Sequence, residues 1–194
     1  MNLSELRARN SGFTMVELLA AIFITAILMA GLYSVFVSQQ MAFSAQERIA
    51  EMNQNLRAVM DLMTREIRLA GYKKSGAIFN GIATGQPSTI RILADLDQNG
   101  DTLGTNEDIT YSYDAGTMQI WRNTTGLPVA DNITSLTFVY TLADGTTTNT
   151  PADLAAIRKV TISITARTAY PDQATGQYRT LTLTSDVTPR NLAS

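Results

Sequence analysis

The sequence predicts an α+β chain, one long N-terminal helix packed against a C-terminal antiparallel β-sheet. Three observations carry that prediction. From Phe13 to Gln46 the only charged residue is Glu17, so the helix opens as an apolar run. From Gln39 to Ala70 there is neither proline nor glycine, and Ile49, Met52, Leu56, Val59, Met63 and Ile67 recur at helical spacing. Beyond Gly71, where all five prolines fall, apolar residues alternate with polar ones at the period of a strand.

Taken in order, the first element is a short basic leader carrying Arg7 and Arg9 against Glu5. The apolar run that follows is long enough to cross a bilayer, for which about 20 residues suffice. Flanking positive charge is retained on the cytoplasmic side, so the N-terminus is expected inside and the C-terminal body exported. A cleaved secretory signal fits poorly. It needs an apolar stretch of only about 7–15 residues followed by a small-residue site, whereas here the small pair Ser11-Gly12 precedes the run. Glu17 is the odd residue. A carboxylate in such a span costs on the order of 2.5–3.5 kcal/mol at the bilayer centre, and that cost asks for a partner.

The amphipathic continuation sets Arg48, Glu51, Asn55, Arg57, Arg65, Glu66 and Arg68 opposite the apolar stripe, and Gly71 is the expected C-cap. Strands are expected at Thr89–Leu93, Ile109–Tyr113 and Met118–Trp121, the last two joined by a turn at Asp114-Ala115-Gly116. Alternation continues through Leu136, Phe138 and Tyr140, through Val160, Ile162 and Ile164, and from Tyr178 to Thr184. These strands are expected to form one sheet whose apolar face covers the helix stripe.

Composition removes whole classes of function. With no histidine and no cysteine among 194 residues there is no imidazole base, thiolate nucleophile, Cys/His zinc site or disulfide. A net charge of −2 gives no electrostatic footprint for nucleic acid, and none is expected as a partner. No phosphate-cradling glycine motif appears either, so no enzymatic activity is expected.

The N-terminal residues resemble the type IV prepilin family, whose pattern is a basic leader, then Gly, then Phe-Thr-hydrophobic-hydrophobic-Glu. It stands here as Gly12-Phe13-Thr14-Met15-Val16-Glu17. The resemblance implies the pilin fold, cleavage by a prepilin peptidase between Gly12 and Phe13, and N-methylation of the new Phe13 terminus. It also implies that the apolar helix serves first as an inner-membrane anchor, with the C-terminal domain in the periplasm, and then as filament core at the cell surface. Glu17 lies one helical turn from the new amine and is expected to pair with it, within the chain or between neighbours, during subunit assembly. The division expected is leader 1–12, transmembrane and filament-core helix 13–38, amphipathic helix 39–71 and β-domain 72–194.

Two later segments, Met60–Tyr72 and Val187–Leu192, resemble PilW-type minor pilins, while the strand at Arg158-Lys159-Val160 resembles the J-component minor pseudopilin of type II secretion. The resemblance implies a minor pilin that sits at or near the pilus tip and helps prime assembly. Its implied partners are other minor and major pilins, the prepilin peptidase and the inner-membrane assembly platform. A pseudopilin is the alternative. So is a tip-exposed adhesin or DNA-uptake module, whose loops at 143–151 and 169–176 would meet an external ligand.

One further motif bears on cofactors. Asp95, Asp97, Asn99 and Asp101 place oxygen ligands at alternate positions with Gly100 sixth, as a Ca²⁺-binding EF-hand loop begins. The twelfth position is Asn106, where that loop would carry Glu, and no helical pattern flanks it. The alternatives are a Ca²⁺ site or an Asx-rich turn between strands.

Overall fold

The computed structural model describes residues 12–74, 76–123 and 127–192. The leader arginines, Arg7 and Arg9, lie outside the described residues. The chain divides into two compact units, Met1–Ser44 and Ala45–Ser194. Helix α1, Met15–Leu69, contributes to both.

In the first unit, α1 is apolar on every side, and large side chains such as Leu19, Phe23, Ile27 and Phe36 are exposed. Its first part contains a stretch long and apolar enough to cross a membrane. Two hydroxyls within this stretch stay local. Thr25 donates to the Ala21 carbonyl at 2.7 Å and Ser38 to the Ser34 carbonyl at 2.9 Å. That arrangement leaves no hydroxyl of theirs unpaired in an apolar solvent.

In the second unit, Met52, Leu56, Val59, Met60, Met63 and Ile67 of α1 are buried. Gly71, in the left-handed region at φ 81°, turns the chain out of the helix. Among the described residues eight strands follow: β1 Ile82–Gly85, β2 Thr89–Leu93, β3 Asp108–Asp114, β4 Gln119–Arg122, β5 Ile133–Leu142, β6 Thr147–Thr148, β7 Ile157–Arg167 and β8 Thr180–Val187. They form two four-stranded antiparallel sheets, β1-β2-β3-β4 and β6-β5-β7-β8, in place of the one sheet that the alternation pattern predicts. The break falls between β4 and β5. There Ile120 makes an isolated bridge with Ala130, the Ile133 N–H donates to the Met118 carbonyl at 2.9 Å, and Asn132 takes a left-handed turn at φ 58°.

The halves nevertheless share one core. Phe138 and Tyr140 of β5 stack at 6.5 Å, the Phe138 N–H donates to the Pro87 carbonyl at 2.7 Å, and the Tyr140 hydroxyl donates to the Gln86 carbonyl at 3.0 Å. Ile90, Tyr111 and Ile120 of the first sheet and Ile157, Val160, Ile162 and Ile164 of the second close around the helix stripe.

Two strand starts fall later than expected for local reasons. Met118 sits at φ 55° and closes the loop after β3, while Asp114 accepts the Gly116 N–H at 2.8 Å, so β4 begins at Gln119. β8 begins at Thr180, not Tyr178, because residues 172–177 form a turn in which Asp172 accepts the Ala174 N–H at 2.9 Å.

Candidate functional site

The N-terminal turn of α1 is built by Thr14 and Glu17. Thr14 is the N-cap. Its hydroxyl oxygen accepts the Glu17 N–H at 3.3 Å, while Glu17 Oε2 accepts the Thr14 N–H at 2.9 Å and the Thr14 hydroxyl at 2.8 Å. This reciprocal arrangement is a capping box, and it satisfies donors that a helix start otherwise leaves open. The acid also lies where the helix dipole favours negative charge. Thr-x-x-Glu is a capping signature legible in the sequence, and it gives Glu17 a second role beside the expected pairing with the amine. Gly12 and Phe13 precede the helix, and Phe13 is exposed.

The acidic loop lies between β2 and β3 in the second unit. Asp95 is fully buried, at 0 % exposure, and Glu107 is 1 % exposed. Asp95 Oδ2 accepts the Lys74 N–H at 3.2 Å and the Gly100 N–H at 3.1 Å. Gly100 supplies the sharp turn at φ 101°. Asp97, Asn99 and Asp101 are exposed, and each accepts a backbone N–H two residues on, from Asn99, Asp101 and Leu103 respectively. Among the described residues the acids whose oxygens converge, within 4.8 Å of one another, are Asp95, Asp97 and Glu107. Ligand spacing leaves Glu107 out of the set because this acid stands one place beyond the position where an EF-hand carries its own.

A third cluster joins α1 to the first sheet. Glu66, which the periodicity set on the solvent side of the helix, instead accepts Arg122 Nε at 3.1 Å and Nη2 at 2.8 Å, and also the Tyr111 hydroxyl. Arg122 Nη2 further donates to Asn106 Oδ1 at 2.8 Å. Burial, and then the Glu66 carboxylate, push the Tyr111 phenol well above its ordinary range. The hydrogen bonds to Glu66 hold the Arg122 guanidinium charged. A cavity of about 160 Å³ lies beside this cluster, lined by Glu66, Leu69, Ile92, Leu96, Asn106 and Glu107 among others.

Comparison with known proteins decides the family. Residues 45–187 match prepilin peptidase-dependent protein B. The chain belongs to that family. Residues 7–33 match the prokaryotic N-terminal methylation motif, a span that contains Gly12, Phe13 and Glu17. No curated protein matches the chain. As a member of the prepilin peptidase-dependent protein B family, the chain is a pilin- or pseudopilin-type protein, a structural class. Its apolar N-terminal helix is a membrane anchor, and the expected helix-plus-β architecture is the one observed.

Proposed function

We propose that this chain is a minor pilin, a structural subunit that helps prime assembly of a type IV pilus at or near its tip. The observation that carries the reading is Glu17, the only charged residue from Phe13 to Gln46, held by Thr14 in the first helical turn. Prepilin peptidase would cut between Gly12 and Phe13, and the new Phe13 amine would be methylated. The leader arginines would keep the N-terminus cytoplasmic, with residues 72–194 in the periplasm before export into the fibre.

Glu17 Oε2 is occupied by Thr14, and Oε1 accepts no hydrogen bond among the described residues. A cationic terminus supplied by a docking neighbour would offset the cost of carrying that carboxylate in lipid. The partners are therefore other pilins and the inner-membrane assembly platform, and the energy of docking is tied to one charge pair.

Glu17→Ala, expressed with its partner pilins, tests the reading. The variant should insert in the membrane at the normal level but be lost from pull-downs with the other pilins and from sheared fibres. Normal incorporation would overturn it. Deleting the protein should abolish piliation. If secretion failed while pili formed normally, the chain would be a pseudopilin.

A further inference from the structure

We propose that Asp95, Asp97 and Glu107 bind a divalent cation, Ca²⁺ in preference to Mg²⁺. Two carboxylates, Asp95 and Glu107, are buried together, and none of the ion pairs among the described residues reaches either of them or Asp97. Ionised carboxylates at this spacing repel, and a cation between them relieves the repulsion.

The decisive atom is Asp95 Oδ1. It is buried and has no hydrogen-bond partner, although its sister oxygen accepts two N–H groups. A buried acceptor left unpaired carries its full desolvation penalty. A cation ligated by this oxygen would remove the penalty and the repulsion together.

Glu107 is set in place beforehand. Its Oε1 accepts the Leu96 N–H at 2.7 Å and the Asp97 N–H at 3.0 Å, and its Oε2 accepts the Gly104 N–H at 2.7 Å. A Cβ on Gly104 would stand 2.5 Å from Oε2, so glycine is what allows the backbone to close on the carboxylate. The acid that an EF-hand supplies twelfth is therefore supplied thirteenth, by a residue entering β3. All three ligands are hard oxygens, which suit alkaline-earth ions. They lie on a loop with no octahedral cage, and Ca²⁺ tolerates irregular geometry that Mg²⁺ does not. Asp95 N–H also donates to the Tyr72 carbonyl at 2.7 Å, so the ion would fasten the loop to the chain leaving α1.

The test uses the full-length protein in detergent, stripped with a chelator and titrated with CaCl₂ or MgCl₂ in a calorimeter, with thermal unfolding followed in parallel. We expect one Ca²⁺ per chain and a melting midpoint raised by about 5–11 °C at a hundredfold excess over the dissociation constant. Mg²⁺ should bind more weakly. Asp97→Asn, at an exposed position, should fold like the parent yet lose at least roughly tenfold in Ca²⁺ affinity. Glu107→Gln should lose affinity as well. No Ca²⁺ heat and no shift up to about 10 mM, beyond the weakest extracellular calcium modules, would overturn the proposal. So would an Asp97→Asn variant that binds like the parent.

Discussion

Glu66 on α1 grips Arg122 on β4 through two guanidinium nitrogens, at 3.1 and 2.8 Å, across 56 residues of sequence. The Tyr111 hydroxyl adds a third donor to the same carboxylate. Side-chain exposures of 16 % for Glu66 and 21 % for Arg122 put the pair at the edge of the core, where screening is incomplete. A bidentate Arg–carboxylate pair adds geometric definition as well as energy, so this contact sets the rotation of α1 against the first sheet.

Breaking it should destabilise the β-domain. Glu66→Gln keeps the volume and the Tyr111 contact but leaves Arg122 without its counter-charge. Arg122→Ala leaves the carboxylate without its cation, held by the Tyr111 hydroxyl alone. Each should cost about 1–3 kcal/mol in chemical denaturation. The double variant should cost less than the sum of the two, since the second change removes a group already stranded. Additive losses would mean that the two side chains do not interact.

Alkaline pH should act through the same cluster. Burial raises the phenol of Tyr111, with the Glu66 carboxylate adding to the effect, and burial raises that of Tyr140. Both are protonated in the folded state at pH values where an unfolded tyrosine, with its ordinary value of 10.0, has begun to ionise. The unfolded chain therefore binds fewer protons above that pH, and stability falls as pH rises. The melting temperature should be level from about pH 7 to about pH 9 and should then decline from about pH 10 upward. Tyr111→Phe should decline less steeply over the same range. Equal slopes would assign the effect to other groups.

Periodicity located the helix stripe because burial on α1 follows a local rule, one face every three or four residues. Leu56, at 1 % exposure, tests that stripe. Leu56→Ala should cost about 2–5 kcal/mol through lost burial and the cavity left behind. Arg57→Ala, one residue on and exposed, should stay within about 0.5 kcal/mol. Urea denaturation with unchanged slope would read both values.

What sequence pattern missed is non-local. Nothing near Glu66 distinguishes it from Arg65 or Arg68. Its partner lies on a strand, and only the packed fold brings the two together. The division of the strands into two sheets was hidden for a related reason. Alternation shows which face of a strand is buried but not which strand is its neighbour. Ligand spacing excludes Glu107 because it assumes one loop length, and only the folded loop shows the thirteenth residue converging on Asp95 and Asp97. The Thr14–Glu17 box was legible, since both ends lie within one turn of helix. Thr14→Val should remove the cap and fray the start of α1, read as faster amide exchange at residues 15–18 in micelles, with the β-domain unchanged.

The exit from α1 depends on two glycines meeting back to back. A Cβ built on Gly81 would stand 2.2 Å from the Gly71 nitrogen and 2.5 Å from the Gly71 Cα. Those atoms are backbone, and no side chain can rotate away to relieve the clash. Both glycines are also tied to β2, since the Gly71 N–H donates to the Leu93 carbonyl and the Leu93 N–H to the Gly81 carbonyl, each at 2.9 Å. Gly81→Ala must therefore move the end of the helix or break these bonds, at a cost of about 1–3 kcal/mol or more. The effect should be local before it is global, with amide exchange at Gly71 and Leu93 accelerating well before the strands β5 and β7 open. Gly116→Ala, where the nearest atom is Asp114 Oδ1 at 3.2 Å, should change stability far less. If the two variants melt together, the close approach of Gly71 and Gly81 does not hold the helix end.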